Sequence, residues 1–596
     1  VIHYQIRPLR PEAHLFEVTL TVAEPTPEGQ AVTMPAWIPG SYMIRDFARH
    51  IVSIEAHAGD QTLTIAKLDK QTWQLPPVAE GPVSVTYQVY AWDLSVRGAH
   101  LDPTHGYFNG TCVFLAAMGH EDQPCRVTME PPAGPQYATW KLATGMSRIS
   151  GEALGFGDFE AESYDALIDH PVEMGQFEHA EFEACGVPHR VVLTGRQRAD
   201  MARLCRDLKV ICEQHIGLFG EPAPVRDYLF MTLVTDGYGG LEHRNSTSLM
   251  SPRGDLPRRT DGADEVRDGY RGYLGLCSHE YFHTWNIKRI KPAAFTPFDL
   301  RQEVHTELLW AFEGITSYYD DLALARTGLI KPESYLELLG QTLTRVQRGQ
   351  GRLRQTVTES SFDAWTRFYK QDENAPNAIV SYYAKGALIA LALDLTLRDR
   401  SDERVTLDHL MRLLWQRHGQ DQGVPEQGIQ ALAEELLGED LSDFFEPALY
   451  GTGDLPLAAL LESRGVLLHW RSASSHGDNG GKAASAPPPV HLGVRVAADP
   501  QGARIQVAYQ QGAAMAAGLS AGDVIIAVDG IKTDAGSLDS LLAAYQEGER
   551  VDVHAFRRDE LMRFTVSLAR SEPDTAFFSL AEGGLTEKGR AWLLGR

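Results

Sequence analysis

His279, Glu280 and His283, within SHEYFHTWN (Ser278–Asn286), have the clearest capacity for chemistry in this 596-residue chain. Two imidazoles four positions apart share one face of a helix. Both can then reach one metal ion, and a zinc ion with three protein ligands keeps a fourth position for water. Glu280, beside the first histidine, has the type and place of a general base acting on that water. The same letters also occur in amphipathic helices that hold no metal. A third ligand, substrate contacts and a fitting scaffold must therefore be found elsewhere in the chain.

The third ligand is sought on a neighbouring helix. LLWAFEGITSYYDD offers Glu313 in an apolar stretch, where a metal would remove the cost of burying a lone carboxylate. Glu303 and Glu307, in the more polar RQEVHTELL, compete with it by position.

The elements that must carry these residues follow from the hydrophobic period. Residues 1–175 alternate with period two, as in HLFEVTLTV and VSVTYQVYAW, between Pro/Gly-rich turns, which predicts an all-β sandwich. From about residue 196 the period becomes helical, and YLFMTLVTDGYGGLEHRNSTSLM adds two strands joined by a Gly-rich turn. Helices then dominate to Leu449, one of them running from Asp264 to Ile287 with the histidine pair on it. The catalytic region is expected at 176–453. Residues 454–570 read as a small β-rich module with a mobile Gly/Ser/Pro-rich insertion at 472–489, and 571–596 as a tail.

HEYFHTW followed by LWAFEG resembles the HExxH-x-W and W-x-x-E-G elements of the gluzincin aminopeptidases. Within them the chain most resembles the glycyl aminopeptidase family, which joins a β domain, a thermolysin-like catalytic domain and a C-terminal PDZ domain. WIPGSYMIRDFARH near the start shares in that resemblance. It implies His279, His283 and Glu313 as ligands of one zinc ion per chain, and Glu280 as catalytic base. The separation of His283 and Glu313 is longer than in the larger family, which implies an inserted loop.

Gly239-Gly240-Leu241-Glu242-His243 resembles the family's G-x-M-E-N strand, with Leu and His in place of Met and Asn. By that resemblance Glu242 binds the substrate's free ammonium, beside Gly239 and Gly240. Ser381–Gly386 resembles Y-x-K-G, which makes Tyr383 the donor to the oxyanion. Asn109, in YFNGTCVF, is a further candidate for holding the amino end, by analogy alone.

Leu492, Gly493 and Val494, followed by AMAAGLSAGDVIIAVDG, resemble the carboxylate loop and core of a bacterial-protease PDZ domain. The implied partner is a peptide C-terminus added as a strand.

Composition narrows the partners. A net charge of -24 disfavours nucleic acid and anionic membrane. No apolar run is long enough to span a bilayer. The start does not read as a signal peptide, so a cytoplasmic location is expected, or periplasmic if such a peptide has been removed. The six cysteines form no framework and read as free thiols, though Cys112 and Cys125, on two expected strands, could pair in an oxidising compartment. The reading is a zinc aminopeptidase for peptides with free N-termini, and the family resemblance implies a preference for Gly or Ala. The alternatives are a zinc endopeptidase with PDZ-guided selection, and a PDZ-bearing binding protein whose metal site is degenerate.

Overall fold

In this computed structural model, residues 1–262, 265–420, 422–484 and 490–595 are described. They form two compact units, Val1–Val304 with Leu414–Val424, and His305–Leu413 with Pro425–Arg596.

The first unit opens with the β-rich domain. Alternation along Ile2–Arg10 and Val83–Tyr90 turns every second side chain inward. These strands belong to an eight-stranded sheet, and two four-stranded sheets accompany it. Tyr4, Ile6, Val18, Leu20, Val85 and Tyr87 from the large sheet share one core with Phe108, Leu142 and Met174, and with Val32 and Trp73. Burying each such side chain stabilises the fold by about 1.5–3 kcal/mol.

The same unit continues into a five-stranded sheet. Its strands are β1 (Phe177–Ala184), β2 (Val187–Thr194), β3 (Tyr228–Val234), β4 (Gly239–Glu242) and β5 (Ser246–Ser251), in the order β1-β2-β3-β5-β4. β2, β3 and β5 run parallel, and β4 closes the edge antiparallel to β5, with Leu241 opposite Ser248. Helix α1 (Met201–Phe219) starts on an Asp200 cap that accepts from the Arg203 N–H. Helix α2 (Asp268–Phe282) carries the HExxH residues. It starts four residues later and ends five earlier than the expected span, Asp264 lying outside the described residues. After α2 the chain turns through Ile287 (φ 100°). The inserted segment then meets WIPGSY, Ala36 N–H donating to Leu300 O at 2.7 Å and Trp37 Nε1 to Asp299 O at 2.9 Å.

In the second unit, a wide π turn at Trp310–Gly314 leads into α3 (Ile315–Arg326), beside the almost wholly buried α4 (Ala384–Ser401). Two expectations need correction here. The 472–489 insertion is built in as far as it is described, with 485–489 outside the described residues. Asp478 accepts from Arg471, from the Ser474 N–H and hydroxyl, and from the Gly480 N–H, all within 2.5–3.1 Å. Nor is 571–596 a tail. Thr575–Leu580 pairs antiparallel with Val466–Arg471, and a terminal helix, Glu587–Leu593, seats Trp592 at 0% exposure. Between those paired strands lies the small module, a six-stranded sheet with short helices at Ala513–Ala516 and Leu538–Leu542. The six cysteines are free, only Cys185 being exposed.

Candidate active site

On α2 the two histidines lie one turn apart, with ring centroids 4.7 Å apart and planes at 86°. Residues beside and between them anchor the helix on its other sides. Ser278 Oγ pairs with His215 Nε2 at 2.8 Å, and Tyr281 OH with His189 Nε2 at 2.9 Å. His283 Nδ1 lies 2.8 Å from Asn286 O, which fixes a proton on Nδ1 and leaves Nε2 as the nitrogen with the lone pair. His279 and His283 thus share one face of the first unit's helix, and the second unit carries the candidate third ligand, Glu313. Two imidazoles and a carboxylate are a donor set that suits zinc.

Glu313 owes its place to the π turn, a widening that recurs at functional sites because it redirects one side chain. Its residue is 2% exposed, a position a carboxylate takes only with compensation. The competitors fall away. Glu303 is exposed, Glu307 accepts from Tyr450 OH at 3.3 Å, and neither joins a metal-capable group among the described residues.

Edge strand β4 brings a second carboxylate to the helix. Donor atoms of Glu242, Glu280 and His283 lie within 4.8 Å of one another, all three residues being buried. Gly240 makes that approach possible, since a Cβ there would overlap the Glu280 carboxylate. Gly239 (φ 148°) faces open space. Glu242 Oε1 is buried with no hydrogen-bond partner among the described residues. Gly40 of WIPGSY (φ 90°) lies against the Glu242 carboxylate, another place with no room for a Cβ. Two carboxylates this close and this buried repel unless cations join them.

Tyr383 caps the start of α4. Burial first, then the charges of Glu313 and Tyr369, push its phenol well above the usual range, so it remains an O–H donor. Its hydroxyl lies 3.2 Å from that of Tyr369. Tyr369 and Gly40 are site residues that sequence reasoning missed. WIPGSY was noticed for its resemblance, while nothing in RFYKQD marks Tyr369.

Asn109 does not extend into the site as expected. It is fully buried, and its amide donates to Val96 O (2.9 Å) and Gly98 O (3.1 Å). It therefore props the loop from which Arg97 reaches Gly240 O at 3.4 Å. Leu492, Gly493 and Val494 line a cavity of about 70 Å³ with Tyr509, Leu538 and Leu542. A third metal-capable group, His100, Asp102 and His105, has its two rings stacked at 28°. In-plane lone pairs of nearly parallel rings do not converge, and His100 Nε2 already bonds Asp102 at 3.1 Å.

Comparison with known proteins bears on this arrangement. The Peptidase M61 N-terminal domain matches residues 3–176, and the M61 glycyl aminopeptidase family matches residues 272–389. No curated protein matches significantly. Among solved structures, an aminopeptidase N family protein from Idiomarina loihiensis is 45% identical, with 100% of both chains covered and a TM-score of 0.96. An M1 zinc metallopeptidase from Deinococcus radiodurans is 16% identical over 76% of this chain and 94% of its own, at a TM-score of 0.46. Yeast LTA4 hydrolase is 13% identical over 78% and 70%, at 0.48. The last two are too distant to carry function. The full-length relative and the two matched regions carry the conclusion: this chain is a metallopeptidase belonging to the M61 glycyl aminopeptidase family.

Proposed function

We propose that the protein is a zinc-dependent aminopeptidase, its metal held by His279, His283 and Glu313. The observation that carries this is the histidine pair one turn apart on α2, with the buried carboxylates of Glu280 and Glu242 beside His283 and an open acceptor oxygen on Glu242. Zinc bound there supplies a Lewis acid and a water acidic enough to attack at neutral pH. Glu280 takes the proton from the attacking water and passes it to the departing amine. Tyr383 donates its O–H to the carbonyl oxygen as negative charge develops there. Glu242 accepts the substrate's N-terminal ammonium, which fixes the scissile bond one residue in.

A preference for Gly or Ala is part of this proposal through the family, and the backbone of Gly40 packed against the Glu242 carboxylate is in keeping with it. The test uses paired peptides, one with a free and one with an acetylated N-terminus, with and without a chelator. Free peptides should be cleaved and acetylated ones spared. Glu280→Gln should lose about 10²–10⁴ in kcat with zinc retained. Equal cleavage of the acetylated peptides would point to an endopeptidase instead.

We also infer that residues 490–570 form a PDZ-type module, with Leu492, Gly493 and Val494 as its carboxylate loop. Its support is the cavity these residues line with Leu538 and Leu542. Ala473, Ser475 and His476 line the same cavity, and the His476 N–H and Nδ1 both bond Asp539 Oδ2, at 3.1 and 2.6 Å. A peptide extended along Leu492–Val494 enters the cavity that this segment lines, and in this proposal its binding displaces the segment. His476→Ala should raise the affinity of a labelled peptide with a free C-terminus at least fivefold in fluorescence anisotropy. An amidated peptide binding equally well would sink the carboxylate role.

A further inference from the structure

His243, which stands where the larger aminopeptidase family has Asn, has no role in the chemistry above. It is 2% exposed, and its Nδ1 lies 3.0 Å from Asp169 Oδ1. Asp169 closes the short helix Tyr164–Ile168, at the end of the β-rich domain. The same oxygen accepts from Lys288 Nζ at 2.7 Å, and Oδ2 accepts from the Arg244 N–H at 3.0 Å. One carboxylate thus holds the residue after Glu242, the residue after that, and a lysine five positions beyond His283. Lys288 is itself bound to α2, its N–H donating to His283 O at 3.2 Å.

These bonds are strong ones. Asp169 has a 14% exposed side chain and Lys288 a 6% exposed one. Burial works to raise the Asp169 carboxyl, but Lys288 and His243 overcome it and hold it far below the usual carboxylate range. Burial keeps His243 below its ordinary value, so it is neutral and donates through Nδ1–H. Arg289 adds a second tie, donating to Arg244 O at 3.1 Å and to Thr284 O at 2.7 Å.

We propose that Asp169 is a positioning residue, clamping the Glu242 strand to the end of the metal-binding helix so that the ammonium site keeps a fixed distance from the metal. This rests on the aminopeptidase reading above. Exopeptidase chemistry needs that distance held within about half an ångström, and β4 is an edge strand with a partner on one side only. Asp169 supplies the missing constraint from the β-rich domain, with His243 Nδ1–H as one of its donors.

The test compares two inhibitors, glycine hydroxamate and acetohydroxamate. Both present a metal-binding hydroxamate, but only the first has an ammonium for Glu242. In the wild-type holoenzyme the glycine compound should bind more tightly. In Asp169→Asn that advantage should shrink at least tenfold, with zinc content and acetohydroxamate affinity unchanged, and KM for an alanyl anilide should rise more than kcat falls. Lys288→Met, which removes the Nζ bond to Asp169 and keeps most of the side-chain bulk, carries the same measurement if Asp169→Asn does not fold. An unchanged ratio in the folded variants overturns the clamp. If neither inhibitor binds the wild type, the zinc reading fails; if both bind it equally, the Glu242 reading fails. Either result takes the clamp with it.

Discussion

A methyl group on Gly240 would overlap the Glu280 carboxylate, so Gly240→Ala tests geometry without touching charge or metal ligands. Displacing a catalytic group by about an ångström typically costs 10²-fold. The variant should lose about that much kcat, with its zinc content and melting temperature close to wild type. Full activity would mean that Glu280 is not the base. Tyr383 gives a test by pH. Its folded-state pKa is raised above the ordinary value of about 10, so the phenol is protonated throughout the neutral range and begins to lose its proton only at still higher pH. Tyr383→Phe should therefore lower kcat by about 10²–10³ by the same factor at pH 6 and pH 9. A loss that fades toward pH 9 would mean the phenol ionises there and is not the donor described. The sequence points to His279, Glu280 and His283 by type and spacing and to Glu313 by its apolar surroundings, while Tyr383 and Glu242 come from the family resemblance. Gly40, Asp169 and Tyr369 were not legible there. Each acts across a fold-made approach between segments distant in sequence, and no local pattern records such an approach.

The elements read from periodicity stand where the period is long, as in the strands near the N-terminus and in α1 and α2. Sequence reasoning failed where local composition and tertiary use disagree. SASSHGDNGG has the composition of a linker, yet the residues around Asp478 turn it into a bonded loop. The segment after Ala569 looks like a remnant once the small module is complete, yet its strand pairs with one a hundred residues earlier. Trp592 measures how much the last helix matters. Its ring lies 6.0 Å from that of Tyr335, its Nε1–H donates to Tyr318 OH at 2.9 Å, and its carbonyl accepts from Arg326. Removing a fully buried Trp from such packing costs about 3–5 kcal/mol. Trp592→Ala should lower unfolding free energy by that amount in a denaturant titration. A change under 1 kcal/mol would return this helix to the status of a tail.

At the scale of the whole chain, the small module is an insertion and not an appendage. Val490 pairs with Arg570 and His491 with Ala569 as antiparallel neighbours, so the module leaves and re-enters the second unit at nearly one point. Such pairs have Cα atoms about 4.5–5.5 Å apart, a gap that a short linker spans without strain. The module also has its own core, built on Ile505, Ile525, Val553 and Val566. Part of what binds it to the helices is Asn377, which donates to Ala508 O and accepts from the Gln510 N–H. Insertions with adjacent ends and a separate core are usually removable. Replacing residues 490–570 with Gly-Ser-Gly should leave a protein that melts cooperatively, holds its zinc and cleaves an alanyl anilide within about threefold of wild-type kcat/KM. The same variant should lose ground only on long peptides, if the module helps to gather them. Loss of anilide turnover in a folded, zinc-loaded variant would instead make the module part of the catalytic machinery, and the division of labour between site and insertion would have to be redrawn.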